Sequence, residues 1–238
     1  MNTILHIDTS GPDALIGISQ DLKIIASKQN SQSNTHGEFV QAGVDELFRD
    51  SAMQLKDIDA IAVTMGPGSY TGLRVGLASA KGLAFALNKP LIGLSTLTLL
   101  AKAAVGHLTA TENPLVNEKQ LQVFSMIDAR RMEIFGAIYN SSLGYLAAEK
   151  AMILDEALLL ALLSNGPLIC IGSGVAKTKI LTQHADFQNS SPLFLDYSYT
   201  IHDMAALAMI KFKAADFEDL AYSGPAYLKD YYQKPLIK

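Results

Sequence analysis

An apolar segment ends at an aspartate twice in this chain, at Asp8 and again 120 residues later at Asp128. The surrounding residues are 7–11 (IDTSG) and 127–131 (IDARR), and an apolar run resumes after each. Further along each half, an apolar stretch enters a glycine turn, at residues 66–68 and 172–174. Asp and Gly commonly end strands, so coincidence is the alternative, but the shared order favours an ancient duplication. The sequence therefore predicts two lobes of similar design.

Strand and helix signals alternate through the first half. Apolar runs separated by polar turns predict three antiparallel strands at the start. Val40, Val44 and Leu47 are spaced to lie on one side of a helix. The predicted strands are 4–7, 15–19, 22–26, 58–65 and 91–94, and the predicted helices are 36–50, 71–87 and 95 to about 105.

Apolar density drops over residues 106–118, which predicts a boundary between lobes. We expect an N-terminal lobe at 1–105 and a C-terminal lobe at 106–238, and leave open whether the terminal segment packs back on the first lobe. The pattern then predicts strands at 121–127, 133–139 and 168–171, with helices after Leu154 and after Ile201.

Each predicted lobe begins with an antiparallel hairpin and continues through strand and helix alternation. That order fits the actin and sugar-kinase architecture better than an all-parallel Rossmann sheet. The predicted fold class is therefore α/β, a duplicated actin-like (ribonuclease H-like) fold with mixed sheets flanked by helices. In such a fold the functional cleft lies between the lobes.

Composition narrows the class of function. The chain has 19 Lys and Arg against 23 Asp and Glu, a net charge of −4, and only four arginines. This balance argues against a protein that grips a nucleic-acid backbone alone, so any RNA contact is expected to be shared. We find no export signal and no apolar run of membrane-spanning length, and the single Cys170 sits in an apolar run, so we expect a cytoplasmic globular protein.

The segment 66–76 (GPGSYTGLRVG) is the strongest local signal. Its glycines permit close backbone approach, and amides at a helix start can hold an anion. No Gly-Lys-Ser or Gly-Lys-Thr follows, so it is not the Walker phosphate loop. A structural turn and a phosphate cradle both remain open, with the turn favoured.

The helix after this turn has no broad polar face. Gly72, Gly76 and Ala80 recur every four residues, which suits close packing of backbones. Burial within the chain's own fold is one explanation, and a helix contact with another protein is the other. Phe39 and Gly43 of the preceding helix would extend that contact surface.

Catalytic and metal-binding signals are weak. Asp8 at a strand end, with Ser10 beside it, is a candidate nucleotide-related site or else a turn carboxylate. No two histidines stand at i and i+4, so no local metal site is predicted. Asp128, Arg130, Arg131 and Glu133 suggest an internal ion-pair network, or arginines that recognise a phosphate or carboxylate.

Five segments together resemble the bacterial TsaB (YeaZ-like) family. They are 7–10 (IDTS), 35–38 (THGE), 66–76, 127–130 (IDAR) and 225–229 (PAYLK), in the same order over almost the whole chain. The resemblance implies an actin-like subunit required for threonylcarbamoyladenosine formation at position 37 of tRNAs. Lys229 departs from the arginine that the family commonly has after its terminal Tyr-Leu pair.

The resemblance also implies a role in assembly rather than in chemistry. It implies that TsaD is the catalytic paralogue and partner, that the ATPase TsaE joins the complex, and that tRNA is reached through the complex. No metal and no cofactor are expected in this chain, with ATP or ADP placed at the partner complex, and a homodimer of the isolated chain is left open. The implied partner interface lies on the first two helices and comprises His36, Phe39, Val40, Gly43, Val44, Gly72, Gly76, Ala80 and Leu83.

An enzyme is the alternative to this non-catalytic subunit. An autonomous actin-like ATPase or small-molecule kinase would use Asp8 and the glycine turns.

Overall fold

A computed structural model describes residues 1–31, 36–183, 187 and 191–229, and Thr35 of the 35–38 segment lies outside them. The elements of the first half are β1 (Thr3–Asp8), β2 (Ala14–Gln20), β3 (Lys23–Asn30), α1 (His36–Asp50), β4 (Ala60–Gly66), α2 (Tyr70–Leu87), β5 (Leu91–Ser95) and α3 (Thr96–Ala110). Those of the second half are β6 (Gln122–Asp128), β7 (Glu133–Tyr139), β8 (Tyr145–Ile153), α4 (Glu156–Ser164), β9 (Leu168–Ile171), α5 (Val175–Leu181), β10 (Leu193–Leu195) and α6 (Ile201–Lys213).

Two five-stranded mixed sheets repeat one strand order. The first runs β3-β2-β1-β4-β5, and the second, read in the matching direction, runs β8-β7-β6-β9-β10. In each sheet the central strand pairs antiparallel with the strand that follows it and parallel with the next strand in the order. The predicted duplicated actin-like fold, with mixed sheets flanked by helices, is confirmed.

The first sheet is covered on both faces because its strands alternate. Leu5 and Ile7 of β1 pack with α1 and α2, whereas Ile4 packs with Met204 and other residues of α6. Successive side chains of a strand point to opposite faces, so α6 lies across the sheet from α1 and α2. The last described helix thus completes the core of the first sheet.

A helix that follows the first sheet in sequence covers one face of the second sheet. Helix α3 follows β5 of the first sheet, yet Leu97, Leu100 and Leu108 pack with residues of β6, β7 and β9. The opposite face carries Phe124, Met126 and Cys170, which pack with α4 and with Val175 of α5. Helix α3 therefore lies between the two sheets.

Several predicted bounds are confirmed and others change. Helix α1 spans 36–50 as predicted, whereas α3 continues past the expected end near residue 105 to Ala110. Strands β8 and β10 were not predicted: β8 is half exposed without a clean alternation of apolar residues, and β10 has three residues. No described helix combines the length and apolarity that a bilayer crossing requires.

Candidate functional site

A cleft with a volume of about 960 Å³ opens between the two sheets. The turn after β1, the start of α2 and the start of α3 line it from one side, and the turns after β6 and β9 line it from the other. The chain between β10 and α6, residues 195–199, completes the wall. The carboxyl ends of the parallel strands meet here, which is where α/β folds place ligands.

Asp8 ends β1, two residues before the cleft-lining Ser10, and the protein already binds both of its carboxylate oxygens. Tyr199 Oη donates to Oδ2 at 2.7 Å, while Thr64 Oγ1 and the Ser10 amide donate to Oδ1 at 2.7 and 2.8 Å. Asp8 is only 4% exposed. The carboxylate therefore acts as an internal hydrogen-bond acceptor in this conformation.

Ser10 belongs to the same network. Its hydroxyl lies 2.9 Å from Tyr199 Oη, so it donates there while Tyr199 donates to Asp8. Burial and the neighbouring Asp8 carboxylate hold the pKa of Tyr199 well above its usual value, so this phenol keeps its proton. The structure thus brings the predicted pair Asp8 and Ser10 together. Tyr199, which no local sequence signal indicates, forms hydrogen bonds with both of them.

The glycine turn after β4 packs closely against the backbone of the turn after β1. A Cβ at Gly72 would lie 2.0 Å from the Thr9 carbonyl oxygen, and one at Gly68 would lie 2.4 Å from that of Ser10. The Ser69 hydroxyl caps α2 by accepting from the Gly72 amide at 3.2 Å. These contacts favour the structural-turn interpretation of this segment.

Seven residues of the predicted partner interface are buried within the chain itself. His36 Nε2 lies 3.3 Å from the Gly11 carbonyl oxygen, and a Cβ at Gly76 would lie 2.3 Å from Thr9 Oγ1. The chain's own atoms therefore contact these two residues. The seven buried positions are His36, Val40, Gly43, Val44, Gly72, Gly76 and Ala80, while Phe39 and Leu83 stay partly exposed.

Beyond Arg74, the outward face of α2 carries small, uncharged residues apart from Lys81 and Phe85. Gly82 has open space where a Cβ would lie, and Phe85 is 81% exposed. The Lys81 ammonium group donates a hydrogen bond to the Ser223 carbonyl oxygen at 2.9 Å. The other exposed or half-exposed residues of this helix are Tyr70, Thr71, Arg74, Val75, Ala78, Ser79, Leu83, Ala86 and Leu87.

Asp128 occupies the place in the second lobe that Asp8 has in the first, with different partners. Lys177 Nζ lies 2.8 Å from its Oδ1, and this bond holds the pKa of Asp128 below its usual value. Glu133 pairs with Lys229, which lowers the pKa of Glu133 in the same way. The predicted ion-pair network is present, but lysines from elsewhere in the chain supply its cations.

Metal-ligating residues do not cluster in the described part of the chain. No group of three His, Cys, Asp or Glu side chains there has the geometry to hold a metal ion. Cys170 is buried in β9, where burial raises the pKa of its thiol, so it serves as an apolar core residue.

Comparison with known proteins gives one consistent result. The family model described as "TsaD: tRNA N6-adenosine threonylcarbamoyltransferase" matches residues 23–236. The tRNA threonylcarbamoyladenosine biosynthesis protein TsaB of Haemophilus influenzae is 35% identical over 133 residues, which are 56% of this chain and 52% of that protein. The protein of the same name from Bacillus subtilis is 31% identical over 159 residues, 67% of this chain and 63% of that protein.

A solved structure shares the fold. YeaZ from Pseudomonas aeruginosa superposes with a TM-score of 0.76 at 22% identity, covering 96% of this chain and all of that one. By sequence, the chain spans roughly half to three fifths of the length of the curated relatives that it matches.

Proposed function

The chain belongs to the TsaD family and is TsaB- or YeaZ-like within it, and from this premise we propose that it acts in tRNA threonylcarbamoyladenosine biosynthesis as a non-catalytic subunit that binds a TsaD paralogue. It then serves to assemble and activate the transferase, while TsaE joins the complex and tRNA is modified there. Nucleotide chemistry with ATP or ADP belongs to those partners.

The state of Asp8 supports the non-catalytic role. In an actin-like ATPase this strand-end carboxylate would face hydrated magnesium and phosphate. Here three donors of the protein satisfy it, and Tyr199 stands over it. A nucleotide-dependent reaction would first have to break this network, so the geometry favours a binding subunit over an autonomous ATPase or kinase.

The outward face of α2 carries the partner proposal. An 81% exposed phenylalanine in a row of small, uncharged residues is unusual for a surface that faces only water. Small residues let a second helix approach closely, and an aromatic anchor supplies binding energy. Phe39 of α1 is also partly exposed, and it packs against the same core cluster as Leu83 of α2. A second copy of the chain would use this surface when TsaD is absent.

A matched pair of arginine substitutions tests the interface. Gly82→Arg puts a long cation into the centre of the α2 face, where the free chain has open space. We expect at least a tenfold loss of affinity for the cognate TsaD in calorimetry, which is a change of about 1.4 kcal/mol or more. Ile210→Arg, at an exposed position of α6 across the sheet, is the control and should bind normally. Equal affinity in both folded variants would refute this interface.

Reconstitution tests the role itself. The chain, TsaD and TsaE are mixed with tRNA, and threonylcarbamoyl transfer is followed with each protein omitted in turn. We expect transfer to require this chain and the chain alone to transfer nothing. Full transfer without it would refute the proposed function.

A further inference from the structure

Two arginines stand exposed at the tip of the β6–β7 hairpin. The side chains of Arg130 and Arg131 make no hydrogen bond or ion pair with any residue that the structure describes. Both have left-handed backbone, with φ of 71° and 48°, which costs a non-glycine residue about 1–2 kcal/mol. Such strain is tolerated where the surrounding structure holds it, and it accumulates at functional sites.

The turn itself is held firmly. The Arg130 amide donates to Asp128 Oδ1 at 2.6 Å, and the Ala129 amide donates to the Glu133 carbonyl oxygen at 3.1 Å. The two guanidinium groups therefore extend from a fixed base rather than from a loose loop. A fixed base reduces the conformational entropy that binding would otherwise cost.

The carboxylates beside these arginines are already neutralised. Lys177 pairs with Asp128, and Lys229 pairs with Glu133. Two lysines thus pair with two carboxylates, and Arg131 attracts Glu133 without forming an ion pair with it. This region is locally cationic in a chain whose net charge is −4.

Aromatic rings continue the same edge of the molecule. Tyr227 lies two residues before Lys229, and its ring centroid is 5.6 Å from that of Tyr70. The Arg74 guanidinium lies 4.1 Å from the Tyr70 ring centroid and donates to Tyr227 Oη at 3.0 Å. Both rings are about half exposed, and together with Lys229 they line a cavity of about 220 Å³.

From this arrangement we propose that the hairpin edge is a direct tRNA contact, defined as Arg130 and Arg131 with the neighbouring Lys229, Tyr227, Tyr70 and Arg74. Guanidinium groups bind phosphate oxygens in bidentate fashion, and exposed aromatic rings stack on unpaired bases. The inference rests on the proposed function, which supplies tRNA as the nucleic acid. It assigns this chain a share of the tRNA-binding surface in addition to a role in assembly.

The test removes the two free charges and compares their loss with an equal loss elsewhere. The double variant Arg130→Gln, Arg131→Gln is matched by Lys56→Gln, Lys119→Gln, two exposed lysines that precede β4 and β6. The control residues lie at the amino ends of those strands, and the hairpin edge lies at the carboxyl ends. Dissociation constants for an unmodified tRNA transcript are measured at several salt concentrations, for the isolated chain and for its mixture with TsaD.

We expect the arginine variant to bind tRNA about tenfold more weakly at low salt, with the slope of log affinity against log salt reduced by about one to two. The lysine control should lose less tRNA affinity and less of the salt slope than the arginine variant. Affinity of the arginine variant for TsaD should equal that of the unmodified chain, because neither Arg130 nor Arg131 lies on α1 or α2.

Several results would overturn the proposal. One is an unchanged tRNA affinity and salt slope, and another is an equal loss in the lysine control. A third is a loss of TsaD affinity that accounts for the loss of tRNA, which would assign the edge to an acidic protein surface. The two proposals can fail separately. If the reconstitution shows that transfer does not need this chain, but tRNA binding still depends on the two arginines, the proposed function is refuted and this contact is supported.

Discussion

Tyr199 connects two distant parts of the chain through a hydrogen bond to one carboxylate. It precedes α6 and bonds Asp8 at the end of β1, 191 residues away in sequence. Thr64 and Ser10 complete the same buried acceptor. At the residue scale, this network leaves neither carboxylate oxygen of Asp8 without a donor from the chain itself.

Removing the Tyr199 hydroxyl should therefore destabilise the protein. Tyr199→Phe deletes one donor to a buried carboxylate and leaves Ser10 without its acceptor, so we expect a loss of about 1–3 kcal/mol in the free energy of unfolding. Urea denaturation measures it. Tyr222→Phe, at a side chain that is 90% exposed, is the control and should change little. Equal stability of the two variants would contradict the network.

His6 is the second residue whose burial has a measurable consequence. Its imidazole is fully buried on β1, with Nε2 2.8 Å from Ser19 Oγ, and burial lowers its pKa to about 3. The folded protein therefore holds the neutral ring, whereas the unfolded chain protonates near pH 6.5. The resulting stability is fully present above that pH and is lost as the pH falls toward 3.

We expect His6 to account for about 1.6 kcal/mol of the stability lost between pH 6.5 and pH 5, because the slope rises from half of 1.36 kcal/mol per pH unit toward the full value. Unfolding free energies at the two pH values, compared with those of His6→Gln, isolate this contribution. The variant should lack that part of the pH dependence, and His202→Gln, at an exposed position of α6, should retain it. A wild-type pH dependence in His6→Gln would show that another group titrates.

Helix α2 shows at the element scale how one small residue type serves two purposes. Gly72 and Gly76 face the turn after β1, where a Cβ would meet Thr9. Gly82 faces open space on the outer side of the same helix. A repeat of small residues therefore reflects contact within the chain on one side of the helix and a clear surface on the other.

Two alanine substitutions in α2 should have opposite effects. Gly72→Ala places a methyl group against a backbone carbonyl that must move, and we expect a loss of about 1–3 kcal/mol or more. Gly82→Ala adds a better helix former in open space and should stabilise by about 0.5–1 kcal/mol. Thermal or urea unfolding of the two variants checks the signs, and stabilisation by Gly72→Ala would contradict the packing described here.

At the scale of the whole molecule, the two sheets share their helices. Helix α6, near the end of the described chain, covers a face of the first sheet, and α3 from the first half covers a face of the second. Neither sheet has a complete core without the other half of the chain. The proposed lobes at 1–105 and 106–238 are therefore expected to fold as one cooperative unit.

A fragment experiment tests that interdependence. Residues 1–113 alone should fail to fold or should aggregate, because Ile4, Ile92 and Leu94 lose their cover from α6. The same fragment joined by a Gly/Ser linker to residues 200–213 is the matched variant and should recover protection of β1 in hydrogen exchange. A stable fragment 1–113 without α6 would refute the shared core.

Local sequence patterns determine much of this fold. The spacing of Val40, Val44 and Leu47 placed α1 at its observed bounds, and the repeated strand-aspartate-turn order indicated the duplication. These signals are local, since they arise from side chains two to four residues apart. Strand β8 was not predicted because its half-exposed side chains show no clear period. Strand β10 was not predicted because three residues are too few to show one.

Only the tertiary structure decided what the candidate site is. The sequence singled out Asp8 and the glycine row of α2, but whether they face a ligand, a partner or their own core depends on contacts made far away in the chain. Tyr199 satisfies Asp8, Thr9 occupies the space beside Gly76, and lysines rather than arginines pair with the second-lobe carboxylates. Neighbours along the chain do not encode such pairings, because they arise when distant segments pack into one core.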